Sequence, residues 1–253
     1  MTPREEAIAL PGLRGELRGI RHAPAGADTG WSAIVLQGFY SSTHVGPARL
    51  YVQLGRLLAA RGIEVLRVDP VGVGDSDGDF AQTTYASELA DYRIVVAHAK
   101  ARARRVALVG HCLGAGMAVR IAADDPAVGR LLLISPGCGP FSTPENHFSE
   151  VEYAELARTG RTVRKAVPIA REFVEAIQDP SIYEVARRVR IPCLLLHSGA
   201  DEYFDGASAR RLAACLPGAE VVELAAADHN FLARGCRERL LEEFARRIGA
   251  MTW

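Results

Sequence analysis

Short apolar runs alternate with amphipathic stretches along most of the chain. Runs of four to eight β-rich residues indicate strands, and apolar residues spaced three and four apart indicate helices. The pattern predicts strands at 32–36, 63–68, 105–109, 131–134, 193–197 and 220–224. It predicts helices between them at 48–60, 85–101, 114–123, 207–215 and 237–248. This alternation is typical of an α/β protein whose mostly parallel central sheet is flanked by helices on both faces.

Two regions depart from this rhythm. The segments 8–10 and 16–22 add an antiparallel hairpin at the edge of the predicted sheet. Between Ile134 and Leu194, about sixty residues have helical spacing without a convincing strand, and proline and glycine break them into pieces. We therefore predict an α/β core of 1–140 and 190–253, with a small helical cap inserted at 141–189 over the carboxyl edge of the sheet.

Length and charge exclude several classes of protein. A chain of 253 residues suits one α/β domain with a large core. The 30 basic and 30 acidic residues balance, and no long basic block argues for a nucleic acid or membrane partner. No apolar run approaches the ~18 residues of a membrane span, and the N-terminus leads into no apolar signal segment. We therefore expect a cytoplasmic protein that is a monomer or a homodimer.

The cysteines and glycines argue against a disulfide framework, a metal site and a cofactor. Five cysteines form an odd set without C-x-x-C spacing, which fits neither a disulfide framework nor a zinc site. The G-x-G-x-x-G fingerprint of dinucleotide binding is absent after the first strands. We therefore expect neither a cofactor nor a metal.

The most informative stretch is the sequence G-x-C-x-G at 110–114. It follows the apolar run 106–109 and precedes a predicted helix, which is the strand, sharp turn and helix of a nucleophile elbow. Glycine is needed on either side because the strand and helix backbones pass close together there. The central residue is Cys112, where most such elbows carry serine. The sequence therefore predicts Cys112 as a nucleophile.

Four other segments accompany the elbow in a defined chain order. The first is the loop Leu36-Gln37-Gly38-Phe39, which is similar to an oxyanion-hole loop. The second is a D-x-x-G-x-G-x-S turn at 69–76. After the elbow come a strand and turn at 194–202 that end in acidic residues, and a loop, Ala227-Asp228-His229-Asn230-Phe231. Together with the elbow, these motifs resemble the α/β-hydrolase superfamily over nearly the whole chain. Two positions depart from the frequent pattern, since Val71 replaces an arginine and Gln37 replaces a histidine.

The resemblance implies a catalytic triad of Cys112, His229 and Asp201. His229 would take the thiol proton or pair with a thiolate, and Asp201 would orient the imidazole. The start of a helix at Cys112 favours negative charge on its sulfur. The backbone N–H groups of Phe39 and Leu113 would bind the oxyanion.

Some of these assignments have alternatives. Glu202 and Asp205 are rivals to Asp201 for the acid, with ordinary surface charge as their default role, and His229 could be a structural loop histidine. We expect the substrate to contact residues of the cap and the loops around the elbow: Tyr40, His111, His147 and Phe204. His111 has a competing interpretation as a residue that packs and shapes the loop.

These residues together predict an enzyme that processes acyl groups. It would hydrolyse or transfer an ester or thioester acyl group through a thioester on Cys112, with a small-molecule or carrier-bound acyl substrate. Dienelactone hydrolases also use a cysteine, but the turn and cap here are more similar to esterases, thioesterases and peptidase-like members. Two alternatives stay open: a lyase or cyclase of the same fold that uses His229 as a base, and a non-catalytic ligand-binding homologue.

Overall fold

A computed structural model describes residues 3–39, 43–102, 104–137, 148–164 and 166–250, with the side chains described through 248. Ten strands are present in these ranges: β1 (Glu5–Pro11), β2 (Glu16–His22), β3 (Trp31–Leu36), β4 (Glu64–Val68), β5 (Arg105–His111), β6 (Val128–Ile134), β7 (Arg161–Arg164), β8 (Val167–Ala170), β9 (Cys193–Ser198) and β10 (Glu220–Leu224). Eight of them form one sheet, in the order β1-β2-β4-β3-β5-β6-β9-β10.

The sheet confirms the predicted α/β class. Strands β4, β3, β5, β6, β9 and β10 pair in parallel, whereas β2 is antiparallel to both β1 and β4. Strands β3, β4 and β9 are buried at every residue. Central parallel strands lie between two helical layers, so they read as continuous apolar runs that are easy to recognise in the sequence.

Helices cover both faces of the sheet: α1 (Leu50–Ala59), α2 (Tyr85–Ala101), α3 (Leu113–Asp124), α4 (Glu150–Thr159), α5 (Arg171–Gln178), α6 (Ile182–Ala186), α7 (Gly206–Cys215) and α8 (Cys236–Ala250). Successive residues of β5 enter opposite cores, because strand side chains alternate. Val106 and Leu108 pack with the face covered by α2, α3 and α7, and Ala107 and Val109 pack with the face covered by α1 and α8.

The segment predicted as a cap contains more than helices. Helix α4 is followed by the antiparallel hairpin β7–β8, with Val163 opposite Pro168, and helices α5 and α6 come after the hairpin. The expectation of no strand in this region was wrong, because each strand has only four residues and proline argues against a strand. The cap is fastened to the core by the buried α5 side chains Phe173, Val174 and Ile177.

Within the parts of the chain that the structure covers, no helix combines the length and the apolar character needed to cross a bilayer.

Candidate active site

Cys112 occupies the sharp turn between β5 and α3. Its backbone has φ 53° and ψ −121°, a left-handed region that side chains rarely adopt. Three backbone hydrogen bonds hold it there. Its N–H donates to the Ile134 carbonyl at 3.0 Å, and its carbonyl accepts from Ala115 and Gly137 at 3.0 and 2.9 Å. Such a strained residue persists only where its surroundings over-determine it, as they do at many reactive sites.

The glycines of the elbow are required by close backbone approach. A Cβ on Gly114 would lie 2.2 Å from the carbonyl oxygen of Leu36, the last residue of β3. A Cβ on Gly110 would lie 2.6 Å from the Cα of Ala115 in α3. In both cases the clashing atom belongs to the backbone, so a side chain would force a strand or helix to shift. The G-x-C-x-G spacing therefore follows from the close packing of β3, β5 and α3.

The structure brings Cys112, His229 and Asp201 together. Nδ1 of His229 lies 2.8 Å from Oδ2 of Asp201, and the Cys112 side chain lies close enough to the His229 imidazole to raise its pKa. The side chains of His229 and Asp201 are 5% and 2% exposed. A thiol, an imidazole and a carboxylate in this order can generate a nucleophile and carry its proton.

The Asp201 carboxylate accepts hydrogen bonds from three groups besides the His229 imidazole. Its Oδ2 accepts from the Ser198 hydroxyl at 2.8 Å, and its Oδ1 accepts from the backbone N–H groups of Tyr203 and Phe204, each at 2.9 Å. Burial raises the pKa of Asp201, but the His229 hydrogen bond and charge and the two N–H donors outweigh it and lower that pKa overall. The carboxylate therefore stays ionised beside the imidazole.

The electrostatics favour a charged histidine. Burial alone would lower the pKa of His229, but the interactions of the imidazole with Cys112 and Asp201 raise it to about 10. The imidazole is therefore protonated at neutral pH.

Two buried tyrosine hydroxyls hold the loop that follows β3. The Gln37 N–H donates to the Tyr92 hydroxyl at 3.0 Å, and the Gly38 N–H donates to the Tyr51 hydroxyl at 2.9 Å. The next residue, Phe39, is one predicted oxyanion donor. The other, Leu113, is the first residue of α3, where a backbone N–H has no carbonyl partner within the helix. Assigning these two N–H groups to an oxyanion stays a prediction.

The predicted substrate-contact residues fall in different places. His111 is buried, with Nδ1 2.8 Å from the Tyr51 oxygen and Nε2 3.4 Å from the His229 carbonyl oxygen. This internal placement agrees with its competing interpretation as a residue that shapes the loop. The Phe204 ring lies beside His229, with centroids 5.7 Å apart. Tyr40 and His147 lie outside the described residues.

Sequence reasoning missed a second acidic contact to His229. The Glu202 carboxylate, expected to be ordinary surface charge, accepts the backbone N–H of His229 at 3.0 Å. Asp205 instead caps α7 by accepting from the Ser208 N–H at 2.8 Å. Neither rival reaches the His229 ring in place of Asp201. The adjacent position of Glu202 in the sequence was the only available signal, and it does not distinguish a backbone contact from a solvated side chain.

Helix α3 and the segment predicted as a cap border a small space next to the elbow. Its volume is about 10 Å³, and it is lined by α3, by Gly137 and by residues of α2, α5 and α6 that include Tyr85, Ile177 and Ile182. Arg120 of α3 lies at its edge and pairs with Asp179 at 3.0 Å. The predicted cap is thus tied to the helix that begins directly after Cys112.

One group of described side chains has ligand types that suit a metal ion. Ligand atoms of His44, Asp69 and Asp75 lie within 4.8 Å of one another. However, the Asp69 carboxylate already accepts from the His44 N–H at 2.5 Å, from the Asp75 N–H at 3.2 Å, and contacts His44 Nδ1 at 2.7 Å. The carboxylate therefore serves as an internal acceptor that holds the turn at 69–76.

Comparison with known proteins agrees with this architecture. A family model described as serine aminopeptidase, S33, matches residues 44–168, a range that includes the elbow. A search of curated proteins found no significant match.

Solved structures match nearly the full length of the chain at low sequence identity. Est1E from Butyrivibrio proteoclasticus with bound ferulic acid superposes with a TM-score of 0.80 at 17% identity, covering 96% of this chain and 98% of that one. An alpha-beta serine hydrolase homologue from Coxiella burnetii has a TM-score of 0.72 at 18% identity, covering 96% and 97%. The esterase domain of a Rhodothermus marinus protein has a TM-score of 0.70 at 20% identity, with coverage of 96% and 97%. The chain therefore has the α/β-hydrolase fold, with Cys112 at the elbow position of that fold.

Proposed function

We propose that the protein is a cysteine-dependent acyl-processing enzyme that forms a thioester on Cys112. The observation that carries this proposal is the position of the buried His229, whose Nδ1 lies 2.8 Å from Oδ2 of Asp201 and whose imidazole interacts with Cys112 at the strained elbow. A cysteine that only packs in a core needs no histidine beside it and no carboxylate bound to that histidine. The alignment at a strained elbow supports nucleophilic chemistry over a structural role.

The first half-reaction makes the acyl-enzyme. The Cys112 thiolate attacks the carbonyl carbon of an ester or thioester, a C–S bond forms, and the carbonyl electron pair moves to oxygen. The backbone N–H groups of Phe39 and Leu113 bind that oxyanion. When the carbonyl re-forms, the bond to the alcohol or thiol breaks, and the leaving group takes the proton from His229.

The second half-reaction releases the acyl group. An acceptor, which is water, an amine or a thiol, gives its proton to His229 and attacks the thioester carbon. Collapse of this second adduct regenerates the Cys112 thiolate. Thioesters are activated towards amines and thiols, so transfer competes with hydrolysis better than it would from a serine ester. The proposed substrates are small-molecule or carrier-bound acyl groups, acted on by a monomer or a homodimer.

The two alternatives predict different consequences of mutation. A lyase or cyclase that uses His229 only as a base would keep much of its activity in Cys112→Ala and lose it in His229→Ala. A binding protein would need neither residue for chemistry. The position of His229 between Cys112 and Asp201 supports the covalent proposal over both.

The test is intact-protein mass spectrometry after brief exposure to an activated acyl thioester and to a nitrophenyl ester. The wild type is expected to gain the mass of one acyl group, whereas Cys112→Ala is not. Cys193→Ala is the matched control, because Cys193 is buried in β9 and burial raises the pKa of its thiol to about 12, so this thiol is inert. His229→Ala should acylate much more slowly than the wild type.

Adding water, an amine or a thiol to the isolated acyl-enzyme then identifies the acceptor by the rate of acyl loss. An adduct that persists in Cys112→Ala would contradict the proposal. So would the lack of any adduct or turnover with several acyl groups, which would favour base-only chemistry or binding.

A further inference from the structure

A chain of side-chain hydrogen bonds links the loop after β3 to the loop that carries His229. Tyr51, on α1, accepts the Gly38 N–H at 2.9 Å, and its oxygen lies 2.8 Å from Nδ1 of His111. Nε2 of His111 lies 3.4 Å from the carbonyl oxygen of His229. The chain therefore runs from one predicted oxyanion loop, past the residue before Cys112, to the backbone of the catalytic histidine.

The acceptor at one end of this chain fixes the arrangement of protons. A backbone carbonyl can only accept, so Nε2 of His111, which faces the His229 carbonyl, carries a proton. Neutral His111 then has no proton on Nδ1, and this nitrogen accepts from the Tyr51 hydroxyl.

Burial keeps this arrangement in place. Tyr51 is fully buried and His111 is 1% exposed. Burial, together with the positive charge on His229, lowers the pKa of His111 to about 3. Asp201 acts in the opposite direction and Arg237 in the same direction, and burial dominates both. His111 is therefore neutral at pH 7, where the His229 imidazole is protonated.

A second contact fixes the same two segments from the side of α8. The Arg237 guanidinium donates to the Asn230 carbonyl at 2.8 Å and to the Ala48 carbonyl at 3.1 Å, one turn before Tyr51. The start of α1 and the histidine loop are thus joined both through Arg237 and through the pair of Tyr51 and His111. The Gly46 backbone packs closely against the Tyr51 ring, since a Cβ at this position would lie 2.6 Å from the ring atoms.

We propose that Tyr51 and His111 are positioning residues that hold the oxyanion loop in register with His229. This inference rests on the proposed function, in which an oxyanion and a protonated imidazole must be placed on the same substrate at once. Displacement of a catalytic group by about 1 Å can cost on the order of 10²-fold in rate. A bridge between the two groups removes that freedom without contacting the substrate.

The test compares Tyr51→Phe with Tyr92→Phe. Each substitution removes one buried hydroxyl from neighbouring N–H groups of the same loop, and only Tyr51 contacts His111. Nitrogen-15 NMR of the histidine rings in the full chain is expected to show His111 as the neutral Nε2–H form at pH 7. Tyr51→Phe should shift its Nδ1 resonance and mix its tautomers, and Tyr92→Phe should leave both unchanged.

Kinetics provide the second measurement. Tyr51→Phe is expected to lower the acylation rate by about tenfold with KM unchanged, because only alignment in the transition state is lost. His111→Asn keeps an acceptor at the Nδ1 position, and His111→Gln keeps a donor at the Nε2 position. Each should retain more activity than His111→Ala, which keeps neither.

The outcomes separate this inference from the proposed function. An Nδ1–H tautomer in the wild type, or equal effects of Tyr51→Phe and Tyr92→Phe on the His111 signals, would overturn the bridge. A wild type that forms no acyl adduct would overturn the proposed function, while the NMR result still decides whether the bridge exists. Loss of activity in Tyr51→Phe through a raised KM alone would also refute a positioning role.

Discussion

Phe173, on α5 of the cap, packs its ring against Phe39 of the predicted oxyanion loop, with centroids 4.9 Å apart. Phe80 and Tyr85 complete the cluster, with their ring centroids 6.2 and 6.3 Å from that of Phe173. Phe173 is 1% exposed, so the ring is buried between the cap and the core. The predicted cap therefore packs against the loop that follows β3, next to the elbow.

Replacing Phe173 with leucine tests whether this packing supports the loop. Leucine keeps the site apolar but loses the ring that contacts Phe39, so we expect the acylation rate to fall by about tenfold. The free energy of unfolding should fall by about 1 kcal/mol. Phe244→Leu is the control, since this ring is equally buried in the core on the other face of the sheet. Equal effects of the two variants on acylation would contradict the support, as measured by single-turnover kinetics and thermal unfolding.

The Asp201 carboxylate should be required in its ionised form. Asp201→Asn keeps the shape of the side chain but cannot hold the His229 Nδ1–H tautomer or balance the imidazolium, so the acylation rate should fall by ~10³-fold or more. Asp205→Asn changes a nearby acid that caps α7 and should leave the rate within about twofold, because asparagine caps helices as well as aspartate does. Stopped-flow acylation of both variants checks this prediction. A loss of less than tenfold in Asp201→Asn would refute the assigned role.

The charge on His229 should depend on Cys112. In the wild type, the pKa of His229 is raised to about 10 despite burial, so the imidazolium is complete at neutral pH and is lost only as the pH rises through about 10. Cys112→Ala removes the opposing negative charge, and burial then lowers this pKa. Nitrogen-15 NMR at pH 8 should show an imidazolium in the wild type and a neutral ring in Cys112→Ala. Cys193→Ala should resemble the wild type; a neutral His229 in the wild type would contradict the ion pair.

Gly114 should tolerate no side chain. A methyl group there would meet the Leu36 carbonyl oxygen at 2.2 Å, so either β3 or α3 must shift. We expect Gly114→Ala to lower the free energy of unfolding by about 3 kcal/mol and to abolish acylation. Gly218→Ala is the contrast, because Gly218 has a positive φ of 76° but open space around it, and should cost about 1 kcal/mol. Denaturant unfolding compares them, and equal losses would show that close approach is not the cause.

Much of the fold could be predicted from local patterns. The limits of α2 and β10 agree with the predicted 85–101 and 220–224, because a capping box of Thr84 and Ser87 and an apolar alternation mark their ends. The hairpin β7–β8 was missed because four-residue strands containing Pro168 carry too little periodic signal. The paired strands become stable only through packing on their neighbours in the cap.

In the candidate site, too, some residues were predicted from the sequence and some contacts were not. The motifs and the resemblance that they carry predicted Cys112, His229 and Asp201 as the triad, and the structure places each of them after a strand at the carboxyl edge of the parallel sheet. The contact of Glu202 with the His229 backbone had no signal of its own. Neither did the Tyr51 hydroxyl, which lies on the apolar face of α1 and reads as an ordinary core residue.

The sequence by itself determined the strand and helix pattern, the elbow and the order of nucleophile, acid and histidine, because local periodicity and turn chemistry depend on neighbours in the chain. Only the tertiary structure decided which carboxylate reaches the His229 ring and which hydroxyls hold the oxyanion loop. These contacts join residues far apart in the chain, such as Tyr51 and His111, and their distances are set by how α1, β5 and the histidine loop pack together.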